Sequence, residues 1–148
     1  MKIVPQSLID AVHAFETQWR HQRLTSFTPI SEVYSLFPGE AEPTLGWPSP
    51  WPNGGHYGVY FVFYADMRLS YVGKASHSHI ANRLSAHFGG SSKTGCRIKS
   101  PGWKERPMFI ASIVMEHAFE APALEEFLIA RLHPPENIHG NKQPNDPL

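Results

Sequence analysis

Residues 58–75 read GVYFVFYADMRLSYVGKA. Tyr57 to Tyr64 is dense in β-branched and aromatic residues, Leu69 to Gly73 repeats that character, and Ala65 to Arg68 between them reads as a tight turn, so the stretch is a β-hairpin. It carries Tyr57, Tyr60, Tyr64 and Tyr71 beside Gly58, Gly73 and Lys74. Strand tyrosines are ordinarily half-buried packing, which is the reading for Tyr57 and Tyr64. A glycine after a strand instead lets backbone approach a ligand closely, and Lys74 directly follows one.

C-terminal to the hairpin, Ile80, Leu84 and Phe88 recur at intervals of four and mark a helix from about Ser78 to Phe88, closed by Gly89 and Gly90. A basic loop then runs to Pro107. Met108 to Met115 reads as a third strand, and Ala121 to Leu132 as a helix stopped by Pro134 and Pro135. N-terminal to the hairpin, Ser7 with Asp10 forms a capping pattern. Leu8, Val12, Phe15 and Trp19 give an amphipathic helix over 8–24. A short helix is expected from Ser31 to Phe37. Pro38, Gly39, Pro43, Gly46, Pro48, Pro50, Pro52, Gly54 and Gly55 then interrupt regular structure, with Trp47 and Trp51 expected to pack on the body.

The length of 148 residues suits one domain and one core. Apolar residues at 41% and charged residues at 18% exclude intrinsic disorder as the main state, and fourteen prolines with eleven glycines argue against a helical bundle or coiled coil. No apolar run approaches the ~18 residues that span a bilayer, the first residues lack a secretory pattern, and the lone Cys96 cannot form an internal disulfide. A cytoplasmic protein without a membrane partner is therefore expected. The net charge of zero hides a separation. Between Arg68 and Arg106 lie eight basic residues against one acid, Glu105, leaving the rest of the chain acidic. A local positive surface is what phosphate-backbone binding needs, although a solvated loop with scattered lysines has the same composition.

Two further features carry chemistry. At 100° per residue, Glu125 falls within the stripe of Leu124, Leu128, Ile129 and Leu132, whereas Glu126 falls on the polar flank. An inward carboxylate needs a cation, a metal ion or strong donors beside it, and an arginine at the helix edge satisfies it as well as a metal does. Arg83 and His87, one helical turn apart, share a face and can grip one anion together, the guanidinium as a planar fork and the imidazole as a proton donor or acceptor.

Gly58-Val59-Tyr60, followed eleven residues after Tyr60 by Tyr71-Val72-Gly73, resembles the paired motif of the GIY-YIG nucleases, with each middle Ile replaced by Val. Lys74 and Ala75 continue as in the excision-repair branch of that family, Arg83 sits on the following helix, Glu125 lies in Leu-Glu-Glu-Phe-Leu-Ile, and Asn137 follows twelve residues later. The resemblance covers about residues 57–137. Two departures stand out: the Lys74 to Arg83 interval is longer by about two residues than in the repair nucleases, with His77 and His79 in it, and His87 stands where many members have tyrosine, as in some restriction-enzyme members.

The resemblance implies an α/β (α+β) fold, a small three-stranded antiparallel sheet flanked by helices. It says nothing of the first 56 residues, which by their own pattern are expected to form an N-terminal helix and Pro/Trp-rich extension packed on the core, with residues 57–148 as the nuclease-like domain. It also implies an endonuclease hydrolysing DNA phosphodiester bonds, with one divalent ion, Mg²⁺ or Mn²⁺, on Glu125. Tyr60 would help deprotonate the attacking water and Tyr71 position it. His87 would either orient Tyr60 or take the proton, and Arg83 would hold charge on the phosphate. Lys74, Asn137, Lys93, Arg97, Lys99 and Lys104 are the expected substrate contacts, with Asn137 also fixing the chain end against the site. The alternatives are a non-catalytic nucleic-acid-binding module on the same scaffold, a restriction-type sequence-specific enzyme, and a zinc domain using His77, His79, His87 and Cys96, whose spacing matches no closed zinc motif.

Overall fold

A computed structural model of the chain describes residues 2–40 and 46–137. Pro43 of the irregular stretch and residues 138–148 of the C-terminal unit lie outside the described residues. In chain order the elements are α1 (Gln6–Gln18), β1 (Tyr34–Ser35), β2 (Gly58–Phe63), β3 (Leu69–Ala75), α2 (Ile80–His87), β4 (Phe88–Ser91), β5 (Gly95–Ile98), β6 (Phe109–Val114) and α3 (Glu120–Leu132). The fold is α+β. Its main sheet is antiparallel in the order β1-β6-β2-β3, and β4 with β5 forms a separate two-stranded sheet.

Strand β2 is central and every one of its six residues is buried, which is why it reads as a continuous apolar run and not as an alternation. Val59, Phe61 and Phe63 face a core closed by Leu8, Val12 and Phe15 of α1 and by Leu124 and Leu128 of α3. Tyr60 and Val62 face the opposite side with Ile80, Leu84 and Phe88. The sheet is thus covered by α1 and α3 on one face and by α2 with the β4–β5 hairpin on the other. Edge strand β3 lies where the two layers meet.

Four expectations are corrected. The sheet has four strands, not three: residues 31–37, read as a helix, hold β1 instead. There the segment satisfies the outer edge of β6, with Tyr34 paired to Ile110 and Leu36 N–H donating to the Met108 carbonyl. An unfilled sheet edge outweighs weak local helix preference over so short a span. The basic loop contains the β4–β5 hairpin, in which Phe88 pairs with Ile98 and Gly90 with Cys96. Its glycines and polar residues carry no period-two apolar signal. Helix α1 ends at Gln18, short of residue 24; Pro5 occupies the N-cap position in place of Ser7, and Trp19 is 70% exposed. Arg20, just beyond, leaves the helix course to form a buried ion pair with Glu120 at the start of α3, and its guanidinium lies over the Phe27 ring. The α2 helix starts at Ile80 and gives up Phe88 to β4.

The described part of the Pro/Trp-rich stretch meets α2. Trp47 and Trp51 form a tilted ring pair, and Trp51 Nε1 donates to Ser85 Oγ on α2 at 3.0 Å. At the other end of the described chain, α3 is capped by His133 in the left-handed conformation, and the next residues return to β3, where Glu136 N–H donates to the Ser70 carbonyl.

Candidate active site

The site forms where edge strand β3 meets α2, α3 and the loop after β5. On β2 and β3, Tyr60 pairs with Gly73, and a Cβ at Gly73 would overlap the Tyr60 ring and hydroxyl. Glycine is required there because the phenol lies across the neighbouring strand's backbone. The Tyr60 and Tyr71 rings are 6.0 Å apart. Tyr60 OH is 3.0 Å from His87 Nε2 on the last turn of α2, and His87 packs its ring edge against Tyr71 at 5.6 Å. The one-turn spacing of Arg83 and His87 thus puts both over the same pair of phenols.

Arg83 is exposed, yet its positive charge is felt by Tyr60, Tyr71, His87 and Glu125 alike, so all five side chains share one electrostatic neighbourhood. Burial pushes the Tyr60 phenol well above its ordinary value, Tyr71 adds to that, and Arg83 opposes both. Tyr71 is also raised, mainly by burial and in part by Glu125, and His87 is held below 6.5 by burial and then by Arg83. Glu125, on α3, approaches from the other face of the sheet. Its side chain is 16% exposed with Oε1 4.0 Å from Lys74 Nζ on β3. Burial raises its carboxyl, with Lys74 the main influence opposing.

Asn137 is buried, and its side chain is fully engaged. Val72 N–H donates to Oδ1 and Nδ2 donates to the Val72 carbonyl, both at 2.8 Å, in the manner of one more strand pair on β3. These two bonds tie the segment after α3 to β3. Lys93, Arg97, Lys99 and Lys104 are exposed on and after the β4–β5 hairpin. Lys99 Nζ reaches the Ser85 carbonyl at 2.6 Å, on the flank of α2. Among the described residues, ion pairs engage Arg20, Arg68, Lys74 and Arg106 and leave Arg83, Lys93, Arg97, Lys99 and Lys104 without a carboxylate partner. The cationic run is thus trimmed at both ends, where Arg68 pairs with Asp66 and Glu105 and Arg106 with Glu40, and of the cations left between them Arg83 acts on the phenols.

The residues that matched a nuclease motif by order in the chain are the ones gathered here, and the GIY-YIG catalytic domain family matches residues 56–138, more than half of the chain. The chain belongs to the GIY-YIG family. The matched part is the family's catalytic domain. It is similar to the UvrABC system protein C of Pseudomonas fluorescens strain Pf-5, 40% identical over 84 residues, of Ectopseudomonas mendocina at 39%, and of Pseudomonas syringae pv. tomato at 38%. Each match covers 57% of this chain and 13% of the relative. No solved structure gives a significant match.

Three residues of this GIY-YIG site escaped the sequence reading. Ser100 Oγ is 2.9 Å from His87 Nδ1, Trp103 Nε1 donates to Ser100 Oγ at 2.9 Å, and Glu136 accepts from Tyr64 OH at 2.6 Å and from the Lys104 N–H at 2.9 Å. Ser100-Pro101-Gly102-Trp103 was legible as a turn from its Pro-Gly centre, and nothing in the sequence says that it turns toward His87. The zinc alternative finds no support: no three His, Cys, Asp or Glu side chains gather to hold a metal among the described residues. Tyr57 lies apart from the site, 36% exposed, with its ring against His79.

Proposed function

We propose that the protein is a metal-dependent endonuclease of DNA in which Tyr60 is the proton acceptor for the attacking water. The observation that carries this reading is the convergence of two phenols, a guanidinium, an imidazole and a half-buried carboxylate at the β3 edge, beside cations without carboxylate partners. Water attacks phosphorus, its O–H proton passes to the Tyr60 phenolate oxygen and gives the phenol, the P–O bond to the leaving oxygen breaks, and solvent protonates that oxygen. Arg83 stabilises the charge that grows on the phosphate, as fixed donors do best in a partly dry site. Tyr71 packs against Tyr60 and positions the water. Lys74 stands beside Glu125, and Arg83 supplies the positive charge at the phenols that a tyrosine base needs because its ordinary pKa is near ~10.

Glu125 suits a hard divalent ion, Mg²⁺ or Mn²⁺. It is a single carboxylate with no cluster of further protein ligands among the described residues, so Glu125 would hold such an ion, with water and phosphate oxygen as its other ligands. Such an ion supplies Lewis-acid stabilisation of the phosphoryl oxygens. Lys93, Arg97, Lys99 and Lys104 track the phosphate backbone, and Asn137 braces β3 beneath the site. DNA as substrate follows the UvrABC system proteins that the chain resembles, and the lone half-exposed cysteine suits a cytoplasmic setting. No helix of the described residues is long and apolar enough to cross a membrane.

The test is a panel of labelled duplex, single-stranded and branched DNA and of RNA, incubated with Mg²⁺, Mn²⁺ or chelator. Metal-dependent cutting of a DNA member is expected. Cutting in chelator removes the ion, cutting of RNA alone removes the substrate assignment, and binding without cutting turns the reading to the non-catalytic module. Histidine at position 87, bonded to Tyr60, favours one second reading, a restriction-type enzyme. Discrete bands from a defined plasmid support it, and a smear excludes it.

A further inference from the structure

The segment after β5 is built to hold one imidazole. Lys99 N–H donates to the His87 carbonyl at 2.7 Å, which sets Ser100 opposite His87, and Pro101 followed by Gly102 at φ 88° folds the chain back so that Trp103 returns over Ser100. The left-handed φ at position 102 is one that glycine adopts without cost. Trp103 then lies edge-on to Tyr71 and to His87 at 5.8 and 6.1 Å between ring centres, so its indole N–H is held in place on Ser100 Oγ.

One direction of donation along this chain of contacts uses the Ser100 proton within the protein. An indole nitrogen only donates, so Ser100 Oγ accepts from Trp103 and cannot send its own proton there. The other protein atom in hydrogen-bond contact with that hydroxyl is His87 Nδ1 at 2.9 Å, and it is the acceptor the structure offers for the Ser100 proton. A neutral imidazole accepting at Nδ1 carries its proton on Nε2, and Nε2 faces the Tyr60 oxygen at 3.0 Å.

We infer that Ser100 and Trp103 are positioning residues that fix His87 in its Nε2-protonated form, so that His87 donates to Tyr60 and does not take its proton. The inference rests on the proposed function for its consequence and on geometry alone for its substance. It divides the labour that the sequence left open: His87 stabilises the Tyr60 phenolate oxygen by donation, and Tyr60 receives the water proton.

The direct measurement is two-bond ¹⁵N–¹H correlation on ¹⁵N-histidine-labelled protein at about pH 8, where a neutral imidazole is expected from the ordinary pKa near ~6.5, with the His87 signal assigned from its loss in His87→Gln. The expected pattern is a proton on Nε2 and a bare Nδ1. Ser100→Ala should give a mixture of tautomers and Ser100→Thr, which keeps the hydroxyl, should restore the single form. Where cleavage is measured, Ser100→Ala should lower kcat by about tenfold, the size of one hydrogen bond to a charged oxygen, with KM within about twofold. Trp103→Phe keeps the ring and deletes the donor, and should loosen the preference in the same direction if Ser100→Ala does not fold. A proton on Nδ1 in the wild type, or an unchanged pattern in either variant, overturns the inference. A protein that cuts nothing yet shows the Nε2 form retires the proposed function and keeps the brace. Cleavage with the Nδ1 form does the reverse.

Discussion

At the scale of single residues, Glu125 and Tyr60 have different tests. Glu125→Ala should reduce metal-dependent nicking of plasmid DNA by at least about a hundredfold, the usual order for a lost electrostatic group in a reacting site, while DNA binding in chelator stays within a few-fold of wild type. Nicking at the wild-type rate would remove Glu125 as the ligand. The raised Tyr60 phenol gives a pH signature. Its phenolate is a minor species at neutral pH and grows tenfold per pH unit below its pKa, so log kcat should climb with a slope approaching one from pH 7 to 9 in the wild type. In Tyr60→Phe both the slope and most of the rate should be gone. His87 works in the opposite sense on stability. Its folded pKa lies below 6.5, so the unfolded chain binds the proton more readily. Stability should therefore fall as pH drops through about 6.5 and level off below the folded value, and His87→Gln should flatten that part of a Tm–pH profile.

At the scale of elements, the β4–β5 hairpin and the loop after it are the proposed track for the phosphate backbone. Lys99→Ala with Lys104→Ala removes two cations that no described carboxylate neutralises. The slope of log Kd against log salt should drop by about two on duplex DNA. An unchanged slope takes this element out of the interface. Strand β3 depends on a residue far along the chain, because Asn137 extends its ladder with two hydrogen bonds to Val72. Asn137→Ala leaves the buried Val72 amide and carbonyl unpaired and should cost about 1–3 kcal/mol, read as a lower urea midpoint with an unchanged m-value.

At the scale of the whole molecule, the N-terminal extension is tied into the core by a buried charge pair. Arg20 and Glu120 side chains are each 5% exposed and join the end of α1 to the start of α3, the helix that carries Glu125. Removing one partner strands the other charge in the interior, so Arg20→Ala should destabilise the protein by about 3 kcal/mol and lower Tm by roughly 6–12 °C. Tm within a degree of wild type would show that this charge pair does not hold the extension. Neither partner stood out in the sequence, since an arginine within the expected 8–24 helix and a glutamate just before a helix are usually solvated.

Local chemistry determined much of this protein. The apolar run of β2, the turn at Ala65 to Arg68, the spacing of Arg83 and His87 and the stripe position of Glu125 all follow from contacts within a few residues. They were legible together with the ordered motif that marks the family. Contacts between distant segments decided the rest. A two-residue strand at Tyr34 exists because β6 has an edge to fill, a glycine-rich loop becomes a hairpin because Phe88 and Ile98 meet, and Ser100 with Trp103 acquires a task because the turn closes over His87. Propensity and periodicity describe a segment's own preferences. Hydrogen-bond partners and burial belong to pairs of segments, and only the folded chain brings those pairs together.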